Sequence, residues 1–112
     1  MPRGDFESES DFRSVVDALL KELLVQLDEC DPDLLDPAMT TGNLVLRFES
    51  GATFVLSQQA PTHELWLSAN LRAWHFVHEG GVWVERDTGE DMLALLSRLI
   101  GEKLGQPLAL RA

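Results

Sequence analysis

Residues 41–57 read TGNLVLRFESGATFVLS. Leu44, Leu46 and Phe48 fall on one side of the first run and Phe54 and Leu56 on one side of the second, with Arg47 and Ser57 on the other. That period of two belongs to strands with one buried and one wet face. Thr41-Gly42-Asn43 precedes the first run and Ser50-Gly51 separates the two. Turn residues at such short spacing join neighbouring strands, so the stretch predicts an antiparallel meander.

The pattern extends both ways. Downstream, further turn signals stand at Gln59-Ala60-Pro61, Asn70 and Gly80-Gly81, and strand-like residues continue to Val84. Leu65 and Leu67 join the apolar face, which assigns Glu64, Trp66 and Ser68 to the wet one. Upstream, Pro37 has no N–H for a ladder, so a first strand over about Leu34–Thr40 belongs at a sheet edge or bulge, carrying Asp33 and Asp36.

Helical periodicity flanks the meander. Ser8 with Asp11 reads as a capping box, followed at helical spacing by Phe12, Val15, Val16, Leu19, Leu20, Leu23, Leu24 and Leu27. This helix must end near Asp28–Cys30, because Asp31 and Asp36 each precede a proline. A second capping box, Thr88 with Asp91, predicts a helix with Met92, Leu93, Leu96, Leu99, Ile100 and Leu104 as its stripe, ended by Gly105 and Pro107. Two amphipathic helices and one apolar sheet face bury one another most simply as an α+β two-layer sandwich, helix, meander, helix, with both helices on one face of an antiparallel sheet. Residues 1–112 are expected to form a single domain. Residues 1–7 are expected to be a disordered tail. Residues 106–112 are expected to pack between the helix ends, which would explain the apolar Leu108 and Leu110.

Nineteen Asp and Glu against nine Lys and Arg give a net charge of −10, which argues against nucleic acid or an anionic membrane as partner. The excess is uneven, since residues 1–36 hold eleven acids and three bases. The start, MPRGDFESES, is acidic and polar, and the chain holds no run of eighteen apolar residues, so the expected location is cytoplasmic. Cys30 is the only cysteine, which excludes an internal disulfide and a cysteine metal cage.

Templates for catalysis are missing. His63-Glu64 and His78-Glu79 lack a second His four residues on, no glycine-rich phosphate loop follows a strand, and no Ser or Cys stands in a nucleophile motif. The chain is expected not to be an enzyme. The stretch DECDPDLLDP, residues 28–37, holds five carboxylates and no base, yet fails as an EF-hand, with Leu35 and Asp36 where an oxygen ligand and Gly are needed. It is a row of carboxylates, Asp28, Glu29, Asp31, Asp33 and Asp36, with Glu22, Gln26 and Glu29 on one helical face. Such a row takes hard cations through oxygen, weakly and with little selectivity among divalent ions. It equally suits a solvated face. Acids at a helix C-terminus oppose the macrodipole at about 0.3–1 kcal/mol each, so tolerating them suggests use. His63, His75 and His78 read as surface or packed residues and Cys30 as a half-buried one. Trp66, sent to the wet face, reads as a partner contact. Trp74 and Trp83 read as core.

The acid-rich first helix, the acidic edge strand, the segment Gln59-Ala60-Pro61-Thr62-His63-Glu64-Leu65-Trp66-Leu67-Ser68-Ala69, then Trp74-His75-Phe76, Trp83 and Thr88-Gly89-Glu90 together resemble the frataxin family in its bacterial CyaY type, over about Ser10–Leu104. The resemblance implies a frataxin-like fold and an iron-binding role in iron-sulfur cluster assembly. It implies weak binding of Fe2+ and Fe3+ on the acidic ridge Asp28, Glu29, Asp31, Asp33 and Asp36, with Glu22 nearby, and other divalent cations as an open alternative. It further implies docking on the cysteine desulfurase and iron-sulfur scaffold protein, modulating sulfur transfer, with Gln59 and Trp66 at the exposed sheet positions. A monomer is expected, with metal-induced oligomers left open. Ser57 stands where the family's motif usually has Asn, and Leu24 and Val25 where some relatives carry an acidic pair. An acidic interaction or general cation-binding module without an iron role is the competing reading.

Overall fold

Ser8 begins the first helix as its position promises: its side-chain oxygen accepts the Asp11 backbone N–H at 3.1 Å, and α1 runs Glu9–Leu27. The computed structural model of the protein describes residues 4–111. Along α1 the buried stripe is Phe12, Val16, Leu20, Leu23 and Leu27, and the helix stops at its cap Asp28, short of the Asp31-Pro32 pair.

Six strands follow: β1 Leu35–Thr40, β2 Asn43–Phe48, β3 Thr53–Gln59, β4 Glu64–Ala69, β5 Arg72–Glu79 and β6 Val82–Glu85, with a 3-10 turn Ala60–Thr62 between β3 and β4. They pair in sequence order, each antiparallel to the next, so β1 with its Pro37 is an edge strand. Leu44, Leu46, Phe48, Phe54, Leu56, Leu65 and Leu67 are buried on the face covered by the helices. From α2, Met92–Leu104, the side chains Met92, Leu95, Leu96, Leu99 and Ile100 close the same core. The architecture is the α+β sandwich that the alternation implies.

The β4–β5 hairpin fixes the outer face. Ala69 pairs with Arg72, leaving Asn70 and Leu71 as a two-residue turn, both with positive φ, 52° and 63°. That is the conformation whose twist suits a tight hairpin. Counting back from the turn sets Trp66 opposite His75 on β5 and, across β3, opposite Ser57.

Three expectations need correction. The second helix starts at Met92 with Asp91 as its cap, its carboxylate accepting the Ala94 N–H at 2.9 Å. Thr88 caps nothing helical: Glu85 captures the N–H groups of Asp87 and Thr88 at 2.8 and 3.1 Å and folds residues 85–89 into a turn. The outer sheet face is also drier than alternation implies, since Val45, Val77 and Glu64 are all buried on it. Residues 4–6, expected to be disordered with the rest of 1–7, lie against the β5–β6 hairpin. Asp5 N–H donates to His78 O at 3.2 Å where β4 no longer runs beside β5, and Phe6 packs on Phe12, His78 and Trp83. Residues 1–3 of that expectation lie outside the described residues.

The C-terminal segment crosses the helix ends. Ser97 Oγ accepts the Leu110 N–H at 2.8 Å, and the Gln26 side chain brackets the Arg111 backbone, donating to its carbonyl at 2.5 Å and accepting its N–H at 3.0 Å. Gly101 makes room for the crossing, because a Cβ there would stand 3.0 Å from the Gln106 carbonyl oxygen.

Candidate functional site

Past the end of α1 the chain turns through Asp31, whose carbonyl accepts from Leu34 and Leu35 and whose Oδ1 accepts the Asp33 N–H at 2.9 Å. This turn sets Asp28, Glu29, Asp31 and Asp33 outward, and β1 adds Asp36, whose register partner is Arg47. All five carboxylates are exposed. Glu29 and Asp31 border a groove of about 470 Å³ between the helix ends, lined also by Cys30, Leu34, Leu104 and Leu108. Burial, then the charge of Glu29, pushes the Cys30 thiol above its ordinary pKa, which keeps it protonated and a poor ligand at neutral pH.

Glu22 is exposed on α1 and borders a different, more apolar groove with Val15, Leu19, His78 and Trp83. Gln26, the residue meant to link it to Glu29, is buried against the C-terminal segment. Among the described residues no three His, Cys, Asp or Glu side chains converge into a preformed metal cage. The donor set is therefore exposed oxygen that leaves most of an ion's water in place, suited to hard cations held weakly.

Across the sheet lies the aromatic face. Trp66 points out from β4 with 37% of its surface exposed, while Trp74 and Trp83 are buried. Gln59 ends β3 in register with Glu64, at half-buried depth. His63, in a left-handed conformation after the 3-10 turn, is buried and stacks on Phe12 at 5.2 Å. His75 lies against Trp66, ring centroids 4.6 Å apart. The sequence reading missed what surrounds them. Glu64 is fully buried and accepts both the Trp66 indole N–H at 3.1 Å and an Arg86 N–H at 3.3 Å, while Arg86 also bonds His75 Nδ1 at 2.9 Å. The i, i+2 spacing of Glu64 and Trp66 and the hairpin count from Asn70 already contain two of these neighbours; Arg86 has no such local signal.

The fold has counterparts among known proteins. A family model for the frataxin-like domain matches residues 5–106. The chain belongs to the frataxin-like family. Among similar frataxin-like proteins, the iron-sulfur cluster assembly protein CyaY of Pseudomonas aeruginosa is 36% identical over 101 residues, covering 88% of this chain and 93% of the relative. That of Pseudomonas entomophila is 35% identical over 103 residues, covering 90% and 93%. Among solved structures, frataxin from Psychromonas ingrahamii matches with a TM-score of 0.85 at 23% identity, over 94% of this chain and 99% of that one, which bears on the fold alone. Trimeric frataxin from the yeast Saccharomyces cerevisiae, solved as a ferrous complex, matches with a TM-score of 0.68 at 25% identity, over 95% and 94%. The frataxin-like sheet and helices thus account for nearly the whole chain. Among the described residues no helix is long and apolar enough to cross a membrane.

Proposed function

We propose that this chain is an iron-handling protein of iron-sulfur cluster assembly that docks through its outer sheet face on the cysteine desulfurase and scaffold complex and modulates sulfur transfer. The observation that carries the reading is Trp66, a large aromatic held outward from a central strand of the sheet and 37% exposed, where Trp74 and Trp83 are buried. The names of the CyaY relatives and the ferrous complex of yeast frataxin support the pathway and the cargo.

The two surfaces divide the work. The ridge of Asp28, Glu29, Asp31, Asp33 and Asp36 takes ferrous or ferric iron through exposed carboxylates, each contributing little because the ion keeps several waters. Its affinity falls with salt, since exposed charges are screened over about 8–10 Å at ordinary ionic strength. Other divalent cations compete. Glu22 is at most peripheral. The same negative field steers the protein toward a basic partner surface, raising the association rate more than the final affinity. Trp66, with Gln59 beside the face, then supplies the desolvated contact. The role is binding and regulation, carried out in the cytoplasm by a monomer.

The test separates contact from core. Trp66→Ala is expected to leave the melting temperature within a few degrees of the parent while weakening binding to the desulfurase and scaffold complex at least tenfold, since a truncated aromatic hot spot costs about 2 kcal/mol or more. Trp83→Ala is expected to cost about 3–5 kcal/mol of stability by opening a cavity under the aromatic cluster. Undiminished binding by folded Trp66→Ala would remove the sheet face as the docking surface.

A further inference from the structure

An exposed tryptophan on a sheet is normally free to change rotamer, and the ordering of such a side chain is part of what binding costs. Trp66 is not left free. Its indole N–H is bonded to Glu64 Oε1 at 3.1 Å, and the His75 ring lies against it with centroids 4.6 Å apart. Arg86 ties these two neighbours together, donating from Nη1 to Glu64 Oε2 at 3.3 Å and bonding through Nη2 to His75 Nδ1 at 2.9 Å.

We propose that Glu64 and Arg86 are positioning residues that lock the Trp66 indole in its docking orientation. The inference rests on the reading of Trp66 as the docking contact. Its starting point is the cost of Glu64. Both carboxylate oxygens are committed on a side chain with 0% exposure, at a strand position where an apolar residue of similar size would serve folding as well or better. A buried ionic pair earns its place most clearly by specifying one arrangement, and the arrangement specified here is that of Trp66.

The bracing reaches the backbone. Arg86 N–H donates to the His75 carbonyl at 2.8 Å, continuing the β5–β6 ladder one residue past β6. Glu85 accepts the His75 N–H at 3.1 Å and the Asp87 N–H at 2.8 Å, so the residue before Arg86 is fixed to the same strand. The guanidinium therefore reaches Glu64 from an anchored base. Arginine only donates, so in this contact the guanidinium is the donor and His75 Nδ1 the acceptor. Lysine at 86 has one nitrogen at the end of a flexible stem and cannot reproduce a fork that spans two partners.

The test pairs a spectroscopic signal with an affinity. Three tryptophans give three indole N–H resonances, and loss of the Trp66 peak in Trp66→Ala assigns it. In Arg86→Leu, Arg86→Lys and Glu64→Leu the Trp66 indole N–H resonance is expected to move upfield and its heteronuclear NOE to drop, and affinity for the desulfurase and scaffold complex to fall about threefold to tenfold, the scale of ordering one large side chain on binding. Glu64→Gln keeps an acceptor oxygen and is expected to restore most of both. If Glu64→Leu fails to fold, the two half-exposed Arg86 variants carry the test. An indole signal unmoved in folded Arg86→Leu overturns the positioning role by itself. A moved signal with parental affinity overturns it as well. Parental affinity in Trp66→Ala overturns the docking reading, and the positioning role falls with it.

Discussion

Ending the chain after Gly105 removes a segment that bonds to both helices, to Gly101 and Ser97 of α2 and to Gln26 of α1. The deletion exposes the surface under Leu110, which is 8% exposed in the intact chain, and part of that under Leu108. Burying one leucine fully is worth about 1.5–3 kcal/mol, and a half-buried one about half as much. The segment is also held by the Leu110 bond to Ser97 and the two Gln26 bonds to Arg111. Ordering its backbone opposes these gains, and the loss on truncation is expected to be about 1–3 kcal/mol, the worth of one or two buried leucine side chains. Urea unfolding followed by tryptophan fluorescence reads it as a lower midpoint. A double-mutant cycle sharpens the assay: Gln26→Ala is expected to cost about 1 kcal/mol in the full chain and close to nothing in the truncated one, because its partner is then gone. An unchanged midpoint on truncation, or an equal cost of Gln26→Ala in both chains, would refute the reasoning.

Two further perturbations follow from single residues. Leu71 is fully exposed and holds φ at 63°, so Leu71→Gly loses no burial, relieves the left-handed strain and is expected to raise stability by about 0.5–1 kcal/mol in thermal melts, whereas a lower melting temperature would mean that the leucine packs in solution. Burial raises the Glu85 pKa, but the N–H groups of Asp87, His75 and Thr88 outweigh it and leave the carboxyl below its ordinary value. Glu85 thus stabilises the fold above the unfolded-state pKa, and that contribution disappears as pH falls through the lower folded value. Melts across pH 3–7 should show Glu85→Gln less stable than the parent at neutral pH and less sensitive to acid; parallel acid limbs would contradict the assignment.

What was legible in the sequence was whatever local periodicity controls. Alternation from Leu44 to Leu67 placed the buried face, the pre-proline Asp31 limited α1, and strict period two sent Trp66 outward. Most of the misreadings involve partners distant in the chain. Glu64 looked wet because nothing near it announces that Arg86, twenty-two residues on, supplies its partner. Thr88 looked like a helix cap because the competing acceptor, Glu85, lies outside the helix and takes the Thr88 N–H first. Helical spacing puts Glu22 and Gln26 on one face with Glu29 but cannot reveal that the C-terminal segment folds over Gln26 while Glu22 borders a groove with His78 and Trp83. Phe6 looked disordered because its neighbours, His78 and Trp83, arrive more than seventy residues later. Within the acidic row the carboxylates were found from charge density alone, which gave their exposure but not their turn.

The reading of the acidic ridge as the iron surface is tested most directly by titrating the protein with ferrous iron without oxygen while recording amide NMR spectra. The account predicts that the signals of Asp28–Asp36 shift and broaden first, that this weakens as salt rises, and that calcium competes at higher concentration. Perturbation centred on His63 or His75, with residues 28–36 unmoved, would contradict it.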